Sequence, residues 1–369
     1  MRRIRFLMVG GFLGAGKTTT IGKVAAQLVA QGLKVGLVTN DQAHELVDTY
    51  ALRSQGFAVG EVPGACFCCK FDDLIDTAAA LTEAEAPDVV IAEPVGSCTD
   101  LVATVIEPLR HLHGDEYEVG PLAVLLKPEH GRKILGEGER VGFSPKAAYI
   151  FLKQIEEADV VVINKVDKLT DDEIAQLRGL VAQRFPGKQV LALSARRGDG
   201  LDELLAALAE TRTAGGPMME VDYDVYAEGE AELGWLNCAC LFTSPGGERF
   251  PLDDLALHLV SALKEACDEA DLEVGHVKVY SDGGGLPAIA NLVGADAPAE
   301  LSVASEVEVP RAEVILNARV ATSPEQLQAI VARVVAEVAQ THRLAEEIRG
   351  VQCFRPGRPI PTHRAGQNL

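Results

Sequence analysis

Residues Gly10 to Thr20 constrain this chain more than any other stretch. They read Gly-Gly-Phe-Leu-Gly-Ala-Gly-Lys-Thr-Thr-Thr, after an apolar run from Ile4 to Val9 and ahead of a helical pattern from Thr18 to Gln31. Gly11, Gly16, Lys17 and Thr18 satisfy the spacing G-x4-G-K-[ST]. Glycines let the backbone wrap a polyphosphate with its N–H groups pointing inward, and the positive end of the following helix adds to the attraction. Lys17 would then reach the β- and γ-phosphates, and the Thr18 hydroxyl would ligate Mg²⁺. The strand before and the helix after separate this stretch from a chance glycine-rich turn.

A loop of this kind needs a strand to its left and a helix to its right, and the chain supplies the rest of such a sheet. Short apolar runs at Lys34 to Thr39, Asp88 to Ala92, Pro121 to Leu126, Asp159 to Ile163 and Gln189 to Leu193 suit buried parallel strands. Helical patterns lie between them at Asp72 to Thr82, Pro145 to Ala158, Asp171 to Phe185 and Leu201 to Glu210. The expectation is an α/β fold: a mostly parallel nucleotide-binding sheet over residues 1–212, with ligands at the carboxyl ends of its strands. Residues 213–233 hold Gly215-Gly216-Pro217 and an acidic stretch, and read as a linker. Strand-like runs at Trp235 to Thr243, Glu273 to Tyr280, Leu301 to Val309 and Glu313 to Val320 surround a helix from Pro251 to Asp268, and another follows from Pro324 to His342. These predict a smaller C-terminal α+β domain over 234–345, with a hairpin at Pro310-Arg311 and an extended tail over 346–369.

Charge narrows the partners. The sequence has 34 basic and 54 acidic residues, a net charge of −20, which argues against nucleic acid or an anionic membrane. Eight cysteines in a long chain read as reduced thiols in a cytoplasmic protein, and no stretch is long enough to span a bilayer.

Two further motifs bear on the nucleotide. Asn164-Lys165-Val166-Asp167 follows directly on the run ending at Ile163. A carboxylate at Asp167 accepts from N1 and the exocyclic amine of guanine, a pair that adenine does not offer. Asn164 would brace the loop, the Lys165 stem would lie along the base, and Ser194-Ala195 closes the next strand beside it. The combination favours GTP and GDP over adenine nucleotides, where N-K-x-D alone would be as easily a solvated turn. Glu93 ends another run and precedes Pro94-Val95-Gly96. An acid there holds Mg²⁺ through water, and Gly96 can bring its N–H to the γ-phosphate. Asp41, at the end of the second strand, is the other acid within reach of Mg²⁺ or the attacking water. For either acid the plainer alternative is a helix N-cap.

Cys66-Phe67-Cys68-Cys69 lies between the second strand and the helix near Asp72. Thiolates at this spacing converge on one borderline metal, Zn²⁺ or Co²⁺, while a redox pair is the rival reading. Three thiolates leave a position for His44, Glu45, His130, Asp41 or solvent. Cys238 and Cys240 alternate in a strand run and read as packing residues. Cys98 has no role in either motif.

The phosphate loop, C-x-C-C, E-x-x-G and N-K-x-D occur in the order found in CobW-like GTPases, kin to the UreG and HypB nickel-insertion proteins, and this chain resembles that family over residues 1 to about 210. The resemblance implies a GTPase that loads or delivers a transition metal; Lys17, Asp41 and Glu93 are the candidate catalytic groups, and hydrolysis would be slow because no arginine or glutamine is evident for stabilising the transition state or orienting water. It implies that Gly14, Ala15, Gly16, Lys17, Thr18 and Thr19 surround the phosphates and Mg²⁺. It also implies Cys66, Cys68 and Cys69 as metal thiolates, and His130 sits at a position similar to a metal-binding histidine of some members. The partner implied is a client metalloprotein that receives the metal, and self-association as a homodimer is compatible with that role. A GTP-dependent activator that remodels a metal- or corrinoid-dependent client without carrying metal is the alternative. Asp41 stands where the family usually has Glu, and Ala65 where it has Gly.

Overall fold

The computed structural model describes residues 3–136, 144–210, 218–294 and 297–366. The chain divides into two compact units: Met1–Gln42 with Phe57–Gly229 and Arg358–Leu369, and Ala43–Gly56 with Glu230–Gly357.

The first unit begins with β1 (Ile4–Gly11), α1 (Lys17–Ala30) and β2 (Val35–Asp41). After α2 (Val47–Arg53), which belongs to the second unit, come β3 (Ala58–Pro63), α3 (Phe71–Glu85) and β4 (Val89–Glu93). A π-helical turn at Val102–Ile106 runs into α4 (Glu107–Leu112), then β5 (Tyr117–Leu126) and α5 (Pro128–Leu135). The unit continues through α6 (Pro145–Glu157), β6 (Val160–Ile163), α7 (Asp171–Arg184), β7 (Gln189–Ala192), α8 (Leu201–Ala209) and α9 (Tyr223–Glu230).

All seven strands run parallel, in the order β3-β2-β4-β1-β5-β6-β7. β2 and β4 are buried along their whole length, as strands covered on both faces must be, which is why they appear as unbroken apolar runs. Two of these helices start where a side chain satisfies free N–H groups. Ser144 accepts from the Ala147 N–H at α6, with Pro145 at the first helical position. Thr170 and Glu173 cap each other's backbone at α7. Parallel strands bring every carboxyl end to one edge of the sheet, so the residues after β1, β2, β4, β6 and β7 share that edge.

The second unit holds β8 (Gly234–Thr243), β9 (Phe250–Pro251), α10 (Leu252–Glu269), β10 (Val274–Asp282) and β11 (Ala288–Leu292). It ends with β12 (Glu300–Val303), β13 (Glu308–Val309), β14 (Arg311–Val320), α11 (Pro324–His342) and β15 (Ala345–Phe354). Six strands form an antiparallel sheet ordered β12-β11-β10-β14-β8-β15. Alternate residues of β8 (Leu236, Cys238, Cys240, Phe242) share a core with Leu255, Leu259 and Leu263 of α10 and with Val331, Val335 and Val338 of α11. The opposite face of the sheet is covered by α2, whose Val47 and Ala51 pack with Tyr280, Ile289 and Ile315.

The sequence divisions need correction in several places. Residues 43–56 belong to the second unit, and residues 358–366 belong to the first. The stretch 213–233 contains α9, while 211–217 lies outside the described residues. Residues 345–354 are a strand, invisible to apolar patterning because β15 is an exposed edge carrying Glu346, Glu347 and Arg349, charges that discourage further strand pairing. Pro310-Arg311 makes no hairpin either. β13 pairs with β9, whereas β14 lies between β8 and β10, and the run from Leu301 breaks at Glu306, whose φ is 57.

Candidate nucleotide and metal site

At the carboxyl end of β1 the phosphate loop is shaped by glycines in the left-handed region, with φ of 71 at Gly14 and 91 at Gly16. A Cβ at Gly16 would lie 2.5 Å from the Asn164 amide nitrogen, so the loop is closed from behind by the base-recognition segment. Lys17, 9% exposed, donates to the Gly11 carbonyl at 3.0 Å and curls back over the loop. The Thr18 hydroxyl donates to Glu93 Oε1 at 3.0 Å. That contact joins the two groups expected to share Mg²⁺, one directly and one through water. Gly96 packs so closely that a Cβ there would meet Leu13 at 2.7 Å and Lys17 Nζ at 3.1 Å. Asp41 is buried at the end of β2, and its carbonyl accepts from the Gly64 N–H at 3.0 Å.

The base segment is braced as a unit. Asn164 donates to the Ala15 carbonyl at 2.8 Å and accepts from the Ala195 N–H at 3.1 Å, tying β6 to the phosphate loop and to the segment after β7. Lys165 takes φ of 61, and Ser194 Oγ donates to Asp167 Oδ1 at 2.7 Å, holding the carboxylate in place. Thr19 follows Thr18 in the first turn of α1.

The cysteines occupy the turn between β3 and α3. The Cys69 and Lys70 N–H groups both donate to the Cys66 carbonyl, at 3.0 and 3.1 Å, which folds the three thiols onto one side. The sulfurs of Cys66 and Cys68 are 2.9 Å apart, those of Cys66 and Cys69 3.4 Å, and those of Cys68 and Cys69 3.7 Å. A tetrahedral ion with Zn–S bonds of about 2.3 Å separates its sulfurs by roughly 3.8 Å, so the trio accepts zinc with a small outward relaxation. Hydrogen bonds from Cys68, Cys69 and Cys98 hold the Cys66 thiol well below the ordinary thiol range. As the donors to that thiolate, Cys68 is pushed up and Cys69 is pushed up to about 12.

Asn40 holds this turn to the sheet. Its amide donates to the Val62 and Ala65 carbonyls, both at 2.7 Å, and its oxygen accepts from the Phe67 N–H at 2.9 Å.

The family model described as CobW/HypB/UreG, nucleotide-binding domain, matches residues 5–192, half of the 369-residue chain. The chain belongs to this family. Among its curated relatives is the zinc chaperone CobW of Sinorhizobium sp, 26% identical over 56% of this chain and 63% of that protein. Another is the zinc chaperone YeiR of Escherichia coli, 26% identical over 52% of this chain and 56% of its own length. The chain thus spans less than two thirds of either relative. A crystal structure of Zn(II)-bound YjiA GTPase from E. coli aligns over 90% of this chain and 99% of that one, with 15% identity and a TM-score of 0.38.

For a CobW/HypB/UreG-type chain, two expectations about further ligands change. His130, on α5, is set edge-on to Phe12 and Phe151, with ring centroids 5.6 and 6.3 Å away. Burial, then the charges of Lys127, Lys165 and Lys133, hold it well below the ordinary imidazole range. It is not among the clustered ligand atoms, which are those of Cys66, Cys68 and Cys69 within 4.8 Å of one another. His44 and Glu45 belong to the second unit, where their carbonyls accept from Asn237 and Asn317.

Three features at the site carried no motif. Asn40 is masked by its neighbour Asp41, although an amide beside a strand-end acid is a signal of loop bracing. Gln154 sits on the apolar face of α6 near Phe151 and Ile155, and a polar residue there should prompt a search for its partners. It donates to the carbonyls of Gly96 (3.0 Å) and Cys98 (2.8 Å). The third is the segment 358–366. The Ile360 N–H donates to Cys69 Sγ at 3.2 Å, and Thr362 bonds the Cys68 and Cys69 carbonyls at 2.8 and 3.1 Å. His363 stands edge-on to Phe71, and Arg364 pairs with buried Asp100 at 2.8 Å.

Proposed function

We propose that this chain is a GTP-hydrolysing metal carrier. It binds GTP or GDP with Mg²⁺, holds a transition metal of the Zn²⁺ or Co²⁺ class on Cys66, Cys68 and Cys69, and passes it to a client metalloprotein in the cytoplasm. Among the described residues no helix is long and apolar enough to cross a membrane, in keeping with that setting. The observation that carries the reading is the thiol trio: three sulfurs within 3.7 Å of each other, on the connection that leaves the sheet beside Asp41. Lys17, Thr18, Glu93 and Gly96 supply the phosphate and Mg²⁺ end, and Asn164, Lys165, Asp167, Ser194 and Ala195 the guanine end. Mg²⁺, held by the Thr18 hydroxyl and through water by Glu93 and Asp41, would neutralise charge developing on the transferred phosphoryl group.

The test is the affinity for Zn²⁺, by competition with a chelator, in GDP and in a non-hydrolysable GTP analogue. The expected result is a difference of about 5- to 150-fold, an ordinary coupling between two ligands, with the metal changing GTP affinity by the same factor. Equal affinities in both nucleotide states would refute delivery under GTP control and favour the activator that carries no metal.

A further inference from the structure

We propose that residues 358–366 form a strap that positions Cys69 as a metal ligand and closes the thiol site, latched by the ion pair of Arg364 with Asp100. This rests on the metal-carrying function above and adds what holds the cation in and what must open to release it.

The three thiols are not equally covered. Cys66 and Cys68 are 2% and 1% exposed, whereas Cys69 is half-buried, so the site meets the surface on the Cys69 side. The strap crosses there. Thr362 bonds the Cys68 carbonyl through its N–H at 2.8 Å and the Cys69 carbonyl through its hydroxyl at 3.1 Å. The Ile360 N–H donates to Cys69 Sγ at 3.2 Å. The sequence prepares that last contact. Ile360 lies between Pro359 and Pro361, which have no N–H, so it carries the one backbone donor of the tripeptide. Pro361 also drives Ile360 out of the helical region and keeps the strap extended. The Ile360 side chain is 75% exposed, so the residue serves the site through its backbone. An N–H aimed at a ligand sulfur orients it and spreads its charge, as outer-shell donors do for metal ligands.

The far end of the strap is tied down by charge. Arg364 Nε lies 2.8 Å from Asp100 Oδ2, and another of its nitrogens donates to the Met219 carbonyl at 2.8 Å. Asp100 is 1% exposed, and the Tyr223 hydroxyl donates to the same carboxylate oxygen at 2.7 Å. Removing the cation from a buried carboxylate leaves its charge uncompensated, so this end is a firm anchor. The Ala365 N–H adds a bond to the Ala103 carbonyl at 2.8 Å. Of the residues in the strap only Pro359 and Ala365 are buried. A segment held by a few hydrogen bonds and one ion pair, rather than by apolar burial, opens locally while the sheet beneath it stays folded.

Transfer of one equivalent of Zn²⁺ from the full-length, reduced protein to a chromophoric chelator tests this, together with absorption of the Co²⁺-loaded protein. Ile360→Pro removes the donor to Cys69, whereas Ile360→Ala keeps it and removes the exposed side chain. Zn²⁺ release should be about tenfold faster in Ile360→Pro and in Arg364→Met, and unchanged in Ile360→Ala. The thiolate-to-cobalt charge-transfer band should shift in Ile360→Pro and stay in place in Ile360→Ala. Arg364→Lys, which keeps a cation for Asp100, should release Zn²⁺ more slowly than Arg364→Met. Guanine-nucleotide binding at wild-type affinity establishes that the variants are folded, and the Ile360 pair carries the test if Arg364→Met is not. Wild-type release and an unmoved band in Ile360→Pro, or equal acceleration in Ile360→Ala, would overturn the positioning of Cys69 by the strap. Wild-type release in Arg364→Met would overturn the latch. Absence of Zn²⁺ binding by wild type, or binding that survives Cys66→Ser with Cys68→Ser, would instead overturn the carrier function itself.

Discussion

Glu157, the last residue of α6, gives the sharpest handle on the loop between Glu93 and Val102. Its carboxyl is buried beneath that loop, where it accepts from the Val102 N–H at 3.1 Å and from the Thr99 hydroxyl at 3.2 Å. Burial raises it from an ordinary 4.5 to about 8, against the smaller opposing effect of those two donors, so it is protonated at neutral pH. In the unfolded chain the group ionises near 4.5 while the folded protein keeps its proton until about pH 8. The stability it contributes is therefore complete below pH 4.5 and is lost as pH rises to 8. Each pH unit inside that window removes about 1.4 kcal/mol, so between pH 5.5 and 8 the loss is about 3 kcal/mol. Glu157→Gln keeps the shape and the acceptor oxygen but has no proton to lose. Urea unfolding of wild type and variant at several pH values in that range checks this, because other titrating groups cancel in the difference. The variant should gain on wild type by about 3 kcal/mol across the window. A constant difference at every pH would mean that Glu157 is already ionised in the folded state, and the burial argument would fail.

Two other outcomes follow from the same geometry. Asp167→Asn should move nucleotide preference from guanine to xanthine, roughly tenfold to a hundredfold, since one charged hydrogen-bond pair is exchanged; competition binding that still favours GTP would remove Asp167 from the base site. Arg364→Met should leave buried Asp100 without its ion pair, with the Tyr223 hydroxyl still donating to it, and free the segment over the cysteines, so that alkylation of Cys69, followed by peptide mass spectrometry, speeds up severalfold; an unchanged rate would mean that the segment does not shield the thiol.

Legibility of the sequence followed the physics of burial. Strands sealed on both faces, such as β2 and β4, must be apolar throughout, so they stand out without any structure. The sheet edges do not. β3 contains Gly60 and Glu61 and ends in Pro63, and β15 is largely exposed, so neither carries a period-2 signal. Lys17, Thr18, Glu93 and Asn164 could be picked out because phosphate and base chemistry fixes their spacing along the chain. Gln154, Cys98 and Ile360 act through contacts between residues far apart in sequence, one of them made by a backbone N–H. No spacing rule reaches such contacts.

Nucleotide and thiols are joined by very short lengths of chain. Along β2, successive side chains point to opposite sides, and Asn40 is the one that braces the cysteine turn. Beyond β4, Glu93, Gly96 and Cys98 fall within six residues, and Gln154 binds the last two together. Links this short in a packed interior carry no large swing, since close-packed surroundings resist displacement. They transmit small ones faithfully. Metal–sulfur bonds respond to shifts of a few tenths of an ångström, the tolerance within which ligand distances identify a site. In the GTP-controlled carrier proposed above, control would then act through ligand geometry at the C-x-C-C turn.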